Sequence, residues 1–252
     1  PLVGYYRARS HQVLAVEDCL LQPEGVTALL SAFRGWMEEW RVPAYDEGTG
    51  RGLVRHLYVR ANRRGETLCC VVANGEKLPH APALIEALCR AQPALVGLVL
   101  NVNRRNTNVI LGPEYRTLWG RDWLEEELRG MTFRLSVPSF YQVNRAQTER
   151  LYALALDFAG LTGEETALDL YCGIGTISLA MARRAGQVIG AEIVPQAIED
   201  AEANARRNGV ANVRFLCGDA GEAAARLSAE GVRPQVICVD PPRKGLGPEV
   251  PA

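Results

Sequence analysis

The chain has 252 residues, 48% of them apolar, and a formal net charge of -1. This length and composition predict one large or two ordinary globular domains, and the near-neutral charge gives no global basic field that would indicate nucleic acid. We find neither a charged-then-apolar leader nor an apolar run of roughly 18 residues, so the sequence indicates neither secretion nor a membrane span and we expect a soluble, cytoplasmic protein. The seven cysteines have no disulfide-framework spacing and are predicted to be reduced thiols.

The first half of the chain has an α+β pattern. Apolar residues at helical spacing predict a packing helix over residues 24–40. Two pairs of β-prone runs follow, 53–60 with 67–73 and 96–102 with 107–111, and each pair is predicted to form a hairpin.

Five arginines cluster around the first predicted hairpin: Arg51, Arg55, Arg60, Arg63 and Arg64. They are compatible with a nucleic-acid contact, but charged hairpin faces are common, so a solvated surface is the better interpretation.

From about residue 145 the pattern changes to helices alternating with short apolar strands, after Asn144 as a predicted helix cap. The predicted strands are 166–171, 187–191, 213–217 and 235–239, and the helices between them are 176–184, 195–209 and 221–229. This alternation is typical of a parallel sheet with crossover helices. We therefore expect a smaller α+β, RNA-facing domain over residues 1–135 and a Rossmann-like α/β domain over 136–252. Because the fourth strand is apolar enough to need neighbours on both sides, we expect this fold to be incomplete at the C-terminus.

A glycine-rich turn follows the first strand of this pattern. Residues 169–176 read Asp-Leu-Tyr-Cys-Gly-Ile-Gly-Thr, and Gly173 and Gly175 would let a ligand approach the backbone closely. A nicotinamide fingerprint would require a third glycine where Ser178 stands, so the motif favours S-adenosylmethionine. An ordinary strand-to-helix turn and a nicotinamide oxidoreductase remain alternatives.

Carboxylates follow the next three strands. Glu192 can accept both ribose hydroxyls of a nucleoside, and Asp219 can accept from an adenine amino group. Asp240 is held at the same edge by Pro241 and Pro242, which cannot extend a strand. Each carboxylate alone could simply cap a helix. Three in register predict a nucleoside site.

Together these motifs resemble the RNA uracil-C5 methyltransferases, which make 5-methyluridine in ribosomal and transfer RNA. The matching segments are 139–144 (Ser-Phe-Tyr-Gln-Val-Asn), 169–173, Glu192 and 240–245 (Asp-Pro-Pro-Arg-Lys-Gly). The resemblance covers nearly the whole chain, less surely before residue 50.

The resemblance implies a set of site residues. The cofactor S-adenosylmethionine would be bound by Gln142, Tyr171, Gly173, Gly175, Thr176, Glu192, Asp219 and Asp240. Gln142 and Asp240 would also act beside the uracil, while Phe140 would face the flipped base and Arg243 would bind the substrate. Core packing is the alternative for Phe140 and Tyr141.

The resemblance also implies the reaction. A cysteine thiolate adds to carbon 6 of the uracil, and carbon 5 then attacks the sulfonium methyl group of S-adenosylmethionine, which leaves as S-adenosylhomocysteine. A base removes the carbon 5 proton and the thiolate is eliminated from carbon 6. In the family both groups lie downstream of the Asp-Pro-Pro-Arg motif. Cys172 precedes the glycine turn, and Cys217 and Cys238 are predicted to be buried in strands. We therefore expect the chain to bind cofactor weakly or not at all, and not to turn over.

Further implications concern segments and partners. Cys19 resembles the last of four ligands of a [4Fe-4S] cluster, whose other ligands would precede Pro1. The family often carries an N-terminal RNA-binding barrel, which would also be absent. The expected partner is RNA, ribosomal rather than transfer RNA, and the expected state is a monomer. A non-catalytic RNA-binding protein with this fold is the further alternative.

Overall fold

The computed structural model describes residues 1–10, 12–16, 19, 22–107, 109–242 and 245–246. The chain divides into two compact units. The first comprises Pro1–Leu124 with Ser136–Pro138, and the second comprises Glu125–Leu135 with Ser139–Ala252. Residues 125–135, predicted to belong to the N-terminal domain, therefore belong to the second unit. No helix in the described residues is both long and apolar enough to cross a membrane.

The first unit is an α+β unit built on a four-stranded sheet. Its elements are β1 Gly4–Tyr6, β2 Val13–Ala15, α1 Val26–Glu39, β3 Val54–Ala61, β4 Thr67–Ala73, α2 Ala81–Ala91, β5 Leu95–Val102 and β6 Glu114–Gly120. The sheet order is β3-β4-β5-β6, in which only the central pair is parallel. The apolar stripe of α1 packs with α2 against this sheet, as Phe33, Leu84 and Leu98 illustrate.

Three features of this unit differ from the sequence analysis. Residues 107–111 contain no strand in their described part; β5 pairs instead with β6, most of whose side chains are exposed. Helix α2 was not predicted, although Pro82 in its first turn suits a helix start. In the arginine cluster, the Arg55 guanidinium donates to the carbonyls of Asn103 and Arg105 and stacks on a tyrosine ring, so it ties loops together instead of standing in solvent.

The second unit contains a four-stranded parallel sheet. Its elements are α3 Arg145–Ala159, β9 Thr166–Leu170, α4 Thr176–Ala182, β10 Gln187–Glu192, α5 Pro195–Arg207, β11 Val213–Cys217, α6 Ala220–Ala229 and β12 Val236–Val239. The strand order is β11-β10-β9-β12, with every pair parallel, which confirms the predicted crossover pattern. The carboxyl ends of all four strands therefore meet at one edge of the sheet, where the predicted site residues stand. Asn144 caps α3 by accepting from the Gln147 amide, as predicted.

A β-hairpin, β7 Trp123–Leu128 and β8 Met131–Ser136, is attached to this unit by packing and by hydrogen bonds. Phe133 is fully buried in the same apolar cluster as Leu179 of α4. Asn208, which ends α5, accepts from the Thr132 amide and donates to the Thr132 carbonyl, both at 2.8 Å. Asn204, which is fully buried, accepts from the Arg134 amide at 2.8 Å and donates to the Ile174 carbonyl. These contacts explain why residues 125–135 of the hairpin belong to the second unit, where Leu128, Phe133 and Leu135 are buried.

Candidate cofactor and substrate site

The turn between β9 and α4 has an unusual backbone. Tyr171 has a φ of 67°, and Gly173 and Gly175 have φ values of 55° and 83°. A positive φ is sterically unfavourable for a residue with a side chain, and such residues concentrate at functional sites. Gly175 is the N-cap of α4, so the turn directs the first backbone N–H groups of that helix toward the carboxyl edge of the sheet.

The glycines around this turn serve different purposes. A Cβ at Gly190, on the neighbouring strand, would lie 2.6 Å from the Phe215 ring and 2.9 Å from the Cys172 sulfur, so this glycine permits close packing behind the turn. A Cβ at Gly175 would lie 3.0 Å from the same ring. Gly173 has open space around it, with nothing within 4 Å of the position of a Cβ. Its backbone is therefore accessible to a ligand.

A hollow at the carboxyl edge of the sheet brings together six of the sequence-predicted residues: Phe140, Gln142, Tyr171, Gly173, Thr176 and Asp240. Its volume is about 40 Å³, whereas small-molecule sites typically span roughly 300–1,000 Å³. The hollow is therefore smaller than a typical small-molecule site. Phe140 is 71% exposed and does not pack in the core.

Glu192 connects the end of β10 to the turn. One carboxylate oxygen accepts from the Gly173 amide at 3.2 Å, and the other accepts from the Val194 amide at 3.0 Å. Each oxygen keeps a second lone pair for a further donor, such as a ribose hydroxyl. The carboxylate thus lies beside the one glycine of the turn that is open to a ligand.

Asp219 caps helix α6. Its Oδ1 accepts from the Gly221 amide at 2.9 Å, and the residue does not line the hollow. This geometry is the helix-capping alternative that the sequence left open. A carboxylate has two oxygens with two lone pairs each, so the cap does not exclude a further hydrogen bond.

Asp169 on β9 was part of the glycine motif but was assigned no role of its own. It is 1% exposed; its Oδ2 accepts from the Ser178 hydroxyl at 2.5 Å, and its Oδ1 has no partner among the described residues. Burial raises the pKa of Asp169 to about 7, and the nearby Asp240 and Glu192 carboxylates contribute to the rise. Ser178, which stands where a nicotinamide motif has glycine, is therefore the hydrogen-bond partner of a buried acid.

The raised pKa of Asp169 couples folding to pH. Between about pH 4, near the pKa of an unfolded aspartic acid, and about pH 7, the folded chain holds a proton on this group that the unfolded chain has released. The stabilising contribution of the protonated group is complete below about pH 4. It is lost as the pH rises through about 7.

Two tyrosines beside the hollow were also not predicted as site residues. Tyr152 on α3 shares a hydrogen bond with the Thr176 hydroxyl at 2.8 Å, and burial raises the Tyr152 pKa to about 12. The Tyr141 hydroxyl is buried and has no hydrogen-bond partner among the described residues; burial and the nearby Glu126 carboxylate raise its pKa. Both are neutral phenols at physiological pH. The unsatisfied hydroxyl could not be foreseen because it depends on packing against the hairpin.

The cysteines of this unit differ from the prediction in one respect. Cys172 is buried and lines the hollow, and burial raises the pKa of its thiol. Cys238 is partly buried, and burial raises its pKa to about 12. Cys217, predicted to be buried in a strand, is exposed; it is the last residue of β11, which lies at the edge of the sheet.

Two predicted residues are not placed in this site. Arg243 lies outside the described residues. Cys19 is partly buried, and within the described part of the chain no group of three or more histidine, cysteine or acidic side chains is arranged to hold a metal ion.

Comparison with known proteins gives the fold and the relatives of the chain. A family model described as a methyltransferase domain matches residues 161–232. The chain is 41% identical over 244 residues to an uncharacterized RNA methyltransferase of Clostridium acetobutylicum, and 44% identical over 245 residues to one of Halalkalibacterium halodurans. These alignments cover 96% and 97% of this chain but 53% and 54% of the relatives. The chain thus spans about half the length of the curated relatives it matches.

Among solved structures, the chain is similar to the tRNA (uracil-54, C5)-methyltransferase of Pyrococcus abyssi in complex with S-adenosyl-L-homocysteine. The TM-score is 0.77 at 22% sequence identity, and the match covers 97% of this chain and 58% of that chain. The chain therefore has the α/β fold of S-adenosylmethionine-dependent methyltransferases, as predicted.

Proposed function

We propose that the chain is the cofactor-binding and base-presenting part of an S-adenosylmethionine-dependent methyltransferase that acts on carbon 5 of a uridine in RNA. The observation that carries this proposal is the hollow where Gln142, Tyr171 and Asp240 meet beside an open glycine turn. The relatives named RNA methyltransferases support RNA as the substrate class, and they favour methyl transfer over the nicotinamide alternative.

The residues at the turn suit S-adenosylmethionine. The open backbone of Gly173 would admit the ligand, and the Glu192 carboxylate beside it would accept from the ribose hydroxyls. Gly175 and Thr176 would hold the turn that begins α4, and Asp219 would accept from the adenine amino group. The cofactor supplies the methyl group.

The other side of the hollow suits a base. Phe140 is exposed enough to stack on a flipped uracil, while Gln142 and Asp240 can hydrogen-bond its polar edge. In this proposal Gln142 and Asp240 are the catalytic residues of the chain and also contact the cofactor. Arg243 would contact the RNA.

The nucleophile for this reaction is not provided by the cysteines of the hollow. Cys172 is the one cysteine among the lining residues, and burial keeps its thiol protonated. A protonated thiol is a poor nucleophile. We therefore expect that Cys172 does not serve as the nucleophile of this reaction.

A chimera tests the proposal: this chain replaces the matching region of the Halalkalibacterium halodurans relative. The chimera is incubated with RNA and isotopically labelled S-adenosylmethionine, and the RNA is digested to nucleosides for mass spectrometry. The expected product is 5-methyluridine. A methyl group on a nitrogen, on a ribose, or on no nucleoside of RNA that the intact relative modifies would overturn the proposal.

Three finer proposals go with it. Separate incubations with ribosomal and transfer RNA test ribosomal RNA as the substrate, and light scattering tests a monomer. Iron analysis of the chimera with and without Cys19→Ser tests this cysteine as a cluster ligand. A thermal-shift comparison of S-adenosylhomocysteine with NADH tests the oxidoreductase alternative.

A further inference from the structure

A second cavity, of about 230 Å³, lies in the second unit away from the residues of the hollow. It is lined by Arg129, Met131, Leu156, Ala180, Arg183 and Arg184. The three arginines come from two separate places in the chain: the turn of the β7–β8 hairpin and the end of α4. None of them was part of a sequence motif.

The positive charge around this cavity exceeds the negative charge that the chain supplies. Arg184 pairs with the exposed Asp157 carboxylate at 3.3 Å. Arg183 donates to the Arg129 carbonyl at 2.8 Å, and Arg129 donates to the Glu149 carbonyl at 3.4 Å, so both are held by backbone groups. Among the described residues, neither Arg129 nor Arg183 has a carboxylate partner within salt-bridge distance.

Helix geometry explains part of this arrangement but not all of it. Arg183 and Arg184 follow the last turn of α4, where a cation is favoured by the helix dipole. Arg129 belongs to another element, and Coulomb repulsion opposes bringing a third guanidinium to the same cavity. Arg129 also has a φ of 52°, a left-handed backbone conformation that destabilises the fold at any residue other than glycine. The strained turn therefore brings a third guanidinium to the cavity, where the ion pair within the described part of the chain is that of Arg184 with Asp157.

Guanidinium groups recognise oxyanions, both carboxylates and phosphates, by paired N–H donors. The backbone contacts of Arg183 and Arg129 use single donors of groups that each have five, so most donors remain for a ligand. We infer that Arg129, Arg183 and Arg184 form a phosphate-binding site. Resting on the proposed function, the ligand is a phosphodiester of the RNA at a distance from the modified base.

The test measures binding of a fluorescent single-stranded RNA to the 252-residue chain by anisotropy, as a function of salt. In a variant with all three arginines replaced by glutamine, Kd at 0.1 M salt is expected to rise at least about tenfold. The slope of log K against log salt is expected to fall by about 2, since each phosphate contact contributes roughly 0.7–0.9.

A matched control removes the same charge from exposed arginines elsewhere in the unit: Arg206, Arg226 and Arg233. This variant is expected to change Kd by less than about twofold and the slope by less than about 1. Equal effects of the two triple variants would show a general charge effect and overturn the site. Circular dichroism confirms that each variant is folded.

Arg184→Gln alone keeps the test decisive if the triple variant does not fold, because the ion pair of Arg184 is with the exposed Asp157. Its slope is expected to fall by about 0.7–0.9, while Arg233→Gln leaves it unchanged. An unchanged slope for Arg184→Gln would overturn RNA as the ligand of this site.

A parallel thermal-shift titration with inorganic tripolyphosphate distinguishes the ligand sources. If tripolyphosphate stabilises the parent but not the triple variant, and both bind RNA equally, a free phosphate compound is the ligand of the site. No effect on either ligand overturns the inference. Absence of 5-methyluridine in the chimera assay, with the RNA-binding differences intact, would count against the proposed function alone.

Discussion

Replacing Gly173 by alanine tests whether the turn binds the cofactor, because the effect on ligand affinity can be measured apart from the effect on stability. Gly173 has a φ of 55° and nothing within 4 Å of the Cβ position, so alanine meets no protein atom there. The stability cost comes from the left-handed backbone alone, about 1–2 kcal/mol. The new methyl group would stand where the ligand approaches the turn, beside the Glu192 carboxylate. An intruding methyl group costs about 1–3 kcal/mol of binding, which raises Kd by roughly 5- to 150-fold.

Gly209 provides the matched control. It has a φ of 64°, also has nothing within 4 Å of its Cβ position, and follows α5 away from the hollow. Both variants are expected to lower the free energy of unfolding in urea by similar amounts. In calorimetric titration of the chimera with S-adenosylhomocysteine, only Gly173→Ala is expected to weaken binding. Equal affinities for the two variants would refute the assignment of the turn as the cofactor site.

Three further predictions concern the acids and amides of the second unit. Glu192→Ala is expected to abolish S-adenosylhomocysteine binding to the chimera, because it removes both the proposed ribose acceptor and the hydrogen-bond partner of the Gly173 amide. Calorimetric titration measures the affinity, with Glu199→Ala as the control. An unchanged affinity of the Glu192→Ala variant would contradict the prediction. Asp169→Asn is expected to stabilise the chain more at pH 8 than at pH 5, each relative to the parent, by up to about 3 kcal/mol, because the parent loses stability between pH 5 and the raised pKa of about 7. Urea unfolding at both pH values measures this difference, and a pH-independent difference would show that the acid is not protonated in the fold. Asn204→Ala is expected to lower the free energy of unfolding by about 1–3 kcal/mol, because it leaves the Arg134 backbone amide unsatisfied. Hydrogen exchange at that backbone amide is expected to be faster. Protection equal to that of the parent would disprove the role of the Asn204 side chain.

Much of the second unit could be predicted because its signals are local. Short apolar runs, the cap at Asn144 and the glycines at 173 and 175 each define one element or turn. Parallel strands bring their carboxyl ends to one edge, so Asp240 could be expected near Tyr171 from the sequence alone, and the family resemblance added Gln142 to them.

The remaining features depend on contacts between distant residues. The sequence predicts residues 125–135 in the N-terminal domain, whereas they belong to the second unit. The alternation of polar and apolar residues in β7 and β8 predicts strands but does not indicate which unit buries Phe133. The pairing of β5 with β6 depends on a long connection, which hairpin signals do not describe. The Asp169–Ser178 bond, the unsatisfied Tyr141 hydroxyl and the arginine cavity arise from packing across elements.

Asn204 and Asn208 cover backbone hydrogen-bonding groups along the edge of β8. An edge strand usually presents unpaired amides and carbonyls that can recruit another chain. At Thr132 one side-chain amide satisfies both the backbone donor and the backbone acceptor, and a second asparagine satisfies the donor of Arg134. A helix thereby imitates a neighbouring strand at these positions. The backbone groups at these positions of β8 are already hydrogen-bonded, so they cannot pair with a strand of another chain. The two-stranded hairpin therefore does not expose them as a site for edge-to-edge association.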